Sequence, residues 1–159
     1  EHKGLYQSKG PVPEEEYAIP LGAAEVKRQG KDVTVVAYSL MLERALSAAE
    51  KLAEEGIEVE VVDPRTLSPL DADTIVESVR KTRNLIIMHE APLTGGFGAE
   101  ISALVTERAF GALRAPPKRV ACPDVPLPFA PVMEKFCIPD EEDLIKAVRE
   151  LVSESAARA

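Results

Sequence analysis

The sequence predicts an α/β domain with three layers (α/β/α), in which helices cover both faces of a mainly parallel sheet of about five strands with one antiparallel edge strand. Two observations lead to this prediction. Short apolar runs, such as residues 33–38 and 85–88, alternate along the chain with stretches whose apolar residues recur at helical spacing. The runs are apolar at nearly every position, which is typical of strands buried on both faces of a parallel sheet.

The chain begins with a polar, proline-marked stretch, residues 1–22, which we interpret as an extended interdomain linker to the domain at residues 23–159. The first residue is not Met, so we expect a segment of a longer protein. Residues 24–28 are predicted to form a short edge strand whose charges protect the edge. Because only a short turn separates it from the strand at 33–38, we expect these two strands to pair antiparallel.

A βαβ unit is predicted for residues 33–62. Leucines and alanines recur at helical spacing over residues 39–55, and Gly56 follows at the position where a helix end favours positive φ. A strand at 57–62 completes the unit, which should have the usual right-handed crossover.

Two further strands and three helices complete the predicted layers. Asp71 is a suitable helix N-cap, residues 85–88 form a buried strand, and residues 118–122 form a short last strand. Asp140 opens a helix whose acidic first turn suits the helix dipole and whose end we expect to fray from Ser153. The predicted buried faces of the three helices are Ile75, Val76 and Val79; Ile101, Leu104, Val105 and Ala109; and Leu144, Val148, Leu151 and Val152.

Composition excludes several classes of protein. The 159 residues are enough for one domain, and a net charge of −8 argues against nucleic acid as a partner. No apolar run approaches the length of a membrane span, and no signal-like segment opens the chain. Cys122 and Cys137 belong to no metal or redox motif, so we expect reduced thiols in a cytosolic or equivalent compartment.

The stretch after the third apolar run is the most suggestive of function. His89 and Glu90 end the run, and Gly95, Gly96 and Gly98 form a turn before the next helix. Loops at the carboxyl ends of parallel strands usually carry the function of an open α/β sheet. We interpret the glycines as allowing a tight turn and close helix–strand packing; a phosphate cradle is the weaker alternative, because the pattern is not G-x-G-x-x-G. For His89, a hydrogen-bonded structural role is favoured over a catalytic one.

Arg65 is the most suggestive charge in the loop after the strand at 57–62. Its guanidinium could hold a carboxylate or phosphate in a bidentate contact. One arginine makes a poor anion site, however, so a structural ion pair with Asp63 or with a carboxylate of a partner subunit is favoured.

The proline-rich stretch at residues 123–139 is apolar. A loop of this length and composition either covers the core or meets a partner. The candidate interface residues are Pro126, Leu127, Phe129, Met133 and Phe136.

Motifs of complete active sites are absent from the sequence. The chain holds no G-x-x-x-x-G-K-[ST], no G-x-S-x-G, no H-E-x-x-H and no cluster of metal-ligating residues, so no catalytic, cofactor-binding or metal site is predicted within it. By themselves the residues indicate an α/β accessory or interaction domain. A free-standing nucleotide- or flavin-binding module that uses the loops after residues 62 and 90 is the alternative.

Several segments nonetheless occur in the order found in one family. They are Leu5-Tyr6 with Ile19-Pro20-Leu21-Gly22, residues 30–36, residues 61–71, His89-Glu90-Ala91-Pro92 with residues 95–101, and Pro123-Asp124-Val125-Pro126 through Ile138-Pro139. Together they resemble the C-terminal, transketolase C-terminal-like domain of the beta subunit of the thiamine-diphosphate-dependent decarboxylating component of 2-oxoacid dehydrogenase complexes. The stretch at 89–97 is most similar to the branched-chain 2-oxoacid version, and the pyruvate and acetoin versions remain alternatives.

The resemblance implies a role within a larger enzyme. An α2β2 tetramer, containing an alpha subunit and a second beta subunit, would decarboxylate a 2-oxoacid and pass the acyl group to lipoyl-lysine of an acyltransferase core. Thiamine diphosphate and Mg²⁺ would be bound by domains outside this chain, so no cofactor is expected in it. The domain itself would build subunit interfaces and dock the subunit-binding domain of the core, in the bacterial or archaeal cytoplasm or the mitochondrial matrix.

Overall fold

A computed structural model describes residues 2–157 and contains a five-stranded sheet with the order β1-β3-β2-β4-β5. The strands are β1 (Glu25–Arg28), β2 (Val33–Ala37), β3 (Val59–Asp63), β4 (Leu85–Pro92) and β5 (Lys118–Cys122). Strands β2 to β5 run parallel, whereas β1 pairs antiparallel with β3 at one edge. The predicted mainly parallel sheet with one antiparallel edge strand is confirmed.

Helices cover both faces of this sheet. They are α1 (Leu40–Glu54), α2 (Ala72–Thr82), α3 (Phe97–Ala109), α4 (Pro131–Cys137) and α5 (Glu141–Ala156), with 3-10 turns at Lys3–Gln7 and Phe110–Ala112. One core cluster joins α1 and α5 to the sheet, and the other joins α2 and α3 to the opposite face, so the three predicted layers are confirmed. Among the described residues, no helix is both long and apolar enough to span a membrane.

The core is aliphatic and follows the pleat of the central strands. In β4, Ile86 and Met88 belong to the cluster under α1 and α5, while Leu85 and Ile87 belong to the cluster under α2 and α3. This alternation is expected because successive strand residues point to opposite faces. Since both faces are covered, every residue of β2 is buried, which explains its continuous apolar run.

Helix boundaries follow the local signals in the sequence. Gly56, just beyond α1, has φ of +81°, and the Asp71 carboxylate accepts a hydrogen bond from the Thr74 amide at 3.1 Å. Asp140 caps α5 in a reciprocal capping box with Asp143. The predicted caps at Gly56 and Asp71 are confirmed, and the predicted start of the last helix at Asp140 proves to be a capping box.

The predicted pairing of β1 with β2 is wrong. Parallel β3 and β4 occupy the two edges of β2, so β1 pairs with the free edge of β3. The connection from β1 to β2 crosses the end of β3 at Gly30, where an added Cβ atom would lie 2.2 Å from the Glu60 amide nitrogen. Gly30 is therefore required for a close backbone crossing rather than for a hairpin turn.

Four other boundaries differ from the prediction. Residues 3–7 of the predicted linker form a 3-10 turn, and β4 continues through His89 to Pro92. The proline-rich stretch contains α4, whose Pro131 stands at the first turn, where proline is tolerated. Helix α5 continues past Ser153 to Ala156, because Ser155 is still buried against the domain. Arg158 and Ala159, part of the stretch predicted to fray, lie outside the described residues.

A substitution at Gly30 tests the crossing of β3. We expect Gly30→Ala to lower the free energy of unfolding by about 2 kcal/mol or more, since the added methyl group meets fixed backbone atoms. Gly111→Ala is the matched control, because a Cβ there has open space. Urea denaturation of the two variants gives the comparison; an equal effect of both substitutions would contradict a specific backbone crossing at Gly30.

Candidate functional site

The carboxyl edge of the sheet brings together most of the residues that the sequence predicts to be functional. Strands β2, β3 and β4 end here, followed by Tyr38, by the loop with Arg65 and by the loop with the three glycines. The proline-rich stretch leaves β5 at the same edge. This clustering is expected, since the carboxyl ends of parallel strands meet on one side of an open sheet.

Residues 123–136, here termed the apolar segment, expose a continuous series of large apolar side chains. Phe129 is 102 % exposed and Phe136 is 88 % exposed, and more than half of Leu127 and Met133 is exposed. Pro126 is exposed as well. Of the two roles predicted for this stretch, the exposure excludes covering the core with these side chains and favours contact with a partner.

Buried cysteines hold both ends of the apolar segment. Cys122 precedes it at the end of β5, Cys137 follows it at the end of α4, and the two side chains are buried. Both thiols are free, as the sequence predicts. Burial raises the pKa of the Cys122 thiol, and the neighbouring Glu90 carboxylate acts in the same direction. These thiols therefore serve as small core residues rather than as reactive groups.

His89 lies beneath the glycine turn and is fully buried. Neither ring nitrogen has a hydrogen-bond partner in the described part of the chain, so the hydrogen bond that the sequence predicts is not found. The ring instead stacks on Tyr38, with centroids 6.4 Å apart and planes inclined by 4°. Burial, followed by the charge of Arg119, lowers the pKa of His89. The imidazole is therefore neutral near pH 7 and acts as a packing residue.

The glycine turn closes directly over the His89 ring. A Cβ atom added to Gly98 would lie 2.2 Å from His89 Nε2, and one added to Gly96 would lie 2.6 Å from His89 Cε1. Gly95 supplies the positive φ of the turn, at +75°. This geometry is the close helix–strand packing that the sequence predicts for these glycines. The imidazole occupies the space beneath the turn, so the geometry gives no support to a phosphate cradle there.

Thr94 and Asp124 join the glycine turn to the start of the apolar segment. The Asp124 carboxylate accepts one hydrogen bond from the Thr94 amide at 2.8 Å and a second from the Thr94 hydroxyl at 2.6 Å. These hydrogen bonds, the hydroxyl first, lower the pKa of Asp124. The neighbouring Arg119 guanidinium donates to the Leu93 carbonyl at 2.7 Å. Two loops of the carboxyl edge are thereby fixed to each other.

Arg65 forms an ion pair within the chain. Its guanidinium contacts the carboxylate of Glu25 on the antiparallel edge strand, whereas Asp63 accepts only from the Arg65 backbone amide, at 2.9 Å. The predicted ion pair with Asp63 is thus corrected to one with Glu25. Lys27 and then Arg65 are the charged groups that lower the pKa of Glu25. Because the guanidinium already has a carboxylate partner, Arg65 offers no free anion site.

Glu90 anchors the N-terminal residues to the carboxyl edge. His2 Nδ1 accepts from the Gly4 amide at 3.0 Å, and His2 Nε2 lies 3.0 Å from a Glu90 carboxylate oxygen. A cavity of about 400 Å³ lies beside this contact and reaches Leu127 and Pro131. The His2–Glu90 contact thus lines an open cavity at the carboxyl edge, the edge where open α/β sheets commonly bind ligands.

The described residues do not form a site for thiamine diphosphate and Mg²⁺. Within residues 2–157, no group of three or more His, Cys, Asp or Glu side chains is placed to hold a metal ion. Bound Mg²⁺ requires carboxylates together with the phosphate oxygens of its ligand. With the glycine turn packed on His89, these residues do not fit the cofactor.

Two side-chain pairings of this edge could not be predicted from the sequence. Thr94 and Asp124 are 30 positions apart, and His2 and Glu90 are 88 apart, so neither pair forms a local pattern. The Pro123-Asp124 dipeptide, which follows a predicted strand, is the one signal that could have indicated a side chain fixing the next loop.

The fold and site together define a class of protein: a doubly wound α/β domain with an exposed apolar segment at the carboxyl edge of its sheet. Residues 22–144 match the family described as "Transketolase, C-terminal domain". The chain belongs to this family.

Curated relatives include three beta subunits. The chain is 50 % identical over 149 residues to the beta subunit of acetoin:2,6-dichlorophenolindophenol oxidoreductase from Cupriavidus necator, covering 94 % of this chain and 44 % of the relative. It is 44 % identical to the pyruvate dehydrogenase E1 component subunit beta of Bacillus subtilis, covering 96 % and 47 %. It is 42 % identical to the 2-oxoisovalerate dehydrogenase subunit beta of Bacillus subtilis, covering 95 % and 47 %. The chain thus spans about half the length of these relatives.

A solved structure of a split-gene transketolase, described as an inactive β4 tetramer, has the same fold. Its TM-score is 0.75 at 29 % identity, and the match covers 87 % of this chain and 45 % of that chain. The predicted fold class and the predicted resemblance are confirmed.

The buried state of His89 leads to a testable pH dependence. The unfolded chain has a histidine of ordinary pKa, about 6.5, whereas the folded pKa is lower, so the unfolded state binds the proton first as the pH falls. This contribution to stability is therefore present above about pH 6.5 and is lost as the pH falls below it. We expect His89→Gln to reduce the loss of stability between about pH 7.5 and about pH 5.5. His2→Gln removes the other histidine and is the control; an undiminished pH dependence in His89→Gln would contradict the assignment.

Proposed function

We propose that this chain is the assembly and docking domain of a 2-oxoacid dehydrogenase beta subunit, and that it contributes no catalytic residue itself. The apolar segment carries the proposal. Its large apolar side chains are exposed, whereas the core of the domain is buried. Exposed apolar patches of this kind are characteristic of protein interfaces. The names of the relatives, all beta subunits, and the tetrameric state of the similar transketolase support an assembly role.

In the intact enzyme, this chain would follow a domain that binds part of the cofactor, with residues 1–22 as the linker between them. The partners would be an alpha subunit and a second beta subunit in an α2β2 tetramer. Thiamine diphosphate, bound with Mg²⁺ by other domains, would supply the electron sink for decarboxylation of the 2-oxoacid and for reductive acylation of lipoyl-lysine. The residues of this chain would hold the subunits in place. Bacterial cytoplasm or the mitochondrial matrix is the proposed location.

The substrate of that enzyme is a 2-oxoacid or acetoin. The names of the three relatives, which are 50 %, 44 % and 42 % identical to this chain, specify acetoin, pyruvate and 2-oxoisovalerate. These sequence identities are too similar to one another to select one of the three substrates. The motif at residues 89–97 favours the branched-chain acid, and the pocket that decides among the three would lie mainly in the other domains.

The acyltransferase core is proposed to dock through charge as well as apolar contact. Much of the net charge of −8 comes from helices α1 and α5, which pack together on one face. The exposed acidic residues of these helices include Glu50, Glu54, Glu142, Asp143 and Glu150. A basic subunit-binding domain complements this surface, and the apolar segment lies next to the start of α5.

Replacing single phenylalanines tests the assembly role. We expect Phe129→Ser and Phe136→Ser to weaken association of the full-length beta subunit with its alpha subunit, each by about tenfold or more, because buried aromatic anchors dominate interface energies. Their melting temperatures should change little, since both side chains are exposed in the isolated domain. Sedimentation velocity measures the assembly.

Phe110→Ser is the matched control for these variants. Phe110 is 74 % exposed but follows α3 at the opposite, amino end of the sheet. It should leave the tetramer unchanged. A tetramer that survives Phe129→Ser and Phe136→Ser equally well would overturn the proposed function.

The alternative of a nucleotide- or flavin-binding module makes the opposite prediction for ligands. We expect titration of the chain with flavin mononucleotide, ATP or thiamine diphosphate to give no binding in the micromolar range, because the His89 ring fills the space under the glycine turn. Isothermal titration calorimetry checks this. Tight binding of flavin or ATP would favour the alternative.

A further inference from the structure

The apolar segment is anchored mainly at its two ends. Its flanking cysteines are buried, and the Pro139 carbonyl just beyond it accepts from Arg44. Between these ends the backbone hydrogen bonds are local, as from Val125 to Pro123 at 2.8 Å and within α4. An exposed segment held in this way would lose conformational entropy on binding unless something else fixes it.

Asp124, the second residue of the segment, reinforces the first of these ends with a side-chain anchor. Among the described residues of the apolar segment, it is the one whose side chain forms hydrogen bonds to another element of the fold. Both carboxylate oxygens are engaged by a single residue, Thr94, through its amide and its hydroxyl. Hydrogen bonds to an ionised acceptor are stronger than neutral ones, and the pair of contacts fixes the direction as well as the distance.

The loop that contains Thr94, to which Asp124 is hydrogen-bonded, is itself packed on the core. Thr94 precedes the glycine turn, whose backbone rests on the buried His89 ring at Gly96 and Gly98. The same loop is held by the Leu93 amide, which donates to the Cys122 carbonyl at 2.9 Å. A continuous series of contacts therefore leads from the core strand β4 through the turn to the beginning of the apolar segment.

We infer that Thr94 and Asp124 are positioning residues that hold the apolar segment in its docking conformation. The inference rests on the docking role proposed above. It assigns a purpose to two motifs that the sequence left separate: the glycine turn after β4 supports the proline-rich segment after β5. In this inference, the turn positions an interface segment and does not bind a ligand.

Amide hydrogen exchange of the chain tests the inference directly. We expect Asp124→Ala, which removes both hydrogen bonds, to speed exchange in α4 by about tenfold, and Thr94→Val, which removes only the hydroxyl bond, to speed it by about threefold. Thr94→Ser keeps both donors and should exchange as the wild type does. Asp124→Asn keeps an acceptor without the charge and should be intermediate. Thr106→Val, which removes a hydroxyl that donates within α3, is the matched control.

The effect on docking is measured separately. In the full-length beta subunit, Asp124→Ala should weaken assembly with the alpha subunit by about threefold to tenfold, whereas Thr94→Ser should assemble as the wild type does. Exchange in α4 that is unchanged in both Asp124→Ala and Thr94→Val would overturn the inference. If exchange rises but Phe129→Ser and Phe136→Ser leave the tetramer intact, the anchor exists and the proposed docking role is what fails.

Discussion

The contact between the His89 ring and two glycines is the constraint on which the carboxyl edge depends. Gly96 and Gly98 approach the ring so closely that a methyl group at either position would overlap it. The buried imidazole takes the place of a core side chain, and burial keeps it neutral. Helix α3 can thus begin directly against β4, and the turn between them becomes part of the core. Thr94 and its partner Asp124 are attached to that turn and are positioned by it.

Most of the fold could be predicted because its signals are local. The apolar run of β2, the cap at Asp71 and the acidic start of α5 each indicate one element without reference to the rest of the chain. The partner of β1 could not be predicted in the same way. It depends on which strand edges remain free after β3 and β4 have paired with β2, and Gly30 has the sequence context of a turn residue although it serves a backbone crossing.

The contacts of the candidate site could not be predicted from the sequence. Exposure of Phe129 and Phe136 agrees with the sequence interpretation of an interface, since an apolar segment broken by prolines cannot form a regular buried strand. Helix α4 was missed because proline at its first turn looks like a loop signal. The partner of Asp124 lies on a different loop, and the partner of Arg65 is Glu25 rather than nearby Asp63. Such pairs are set by the tertiary fold.

Loops that are held by contacts within the chain suit the proposed assembly role. In open α/β sheets, the carboxyl edge commonly serves a ligand, and its loops must then move to admit it. Here His2 contacts Glu90, the glycine turn rests on His89, and Thr94 is hydrogen-bonded to Asp124, so loops of this edge are already joined to one another within the chain. Loops fixed before binding lose less entropy when a partner arrives, so more of the apolar contact contributes to affinity. The same fold that elsewhere positions ligands can therefore position an interface, as we propose for the apolar segment.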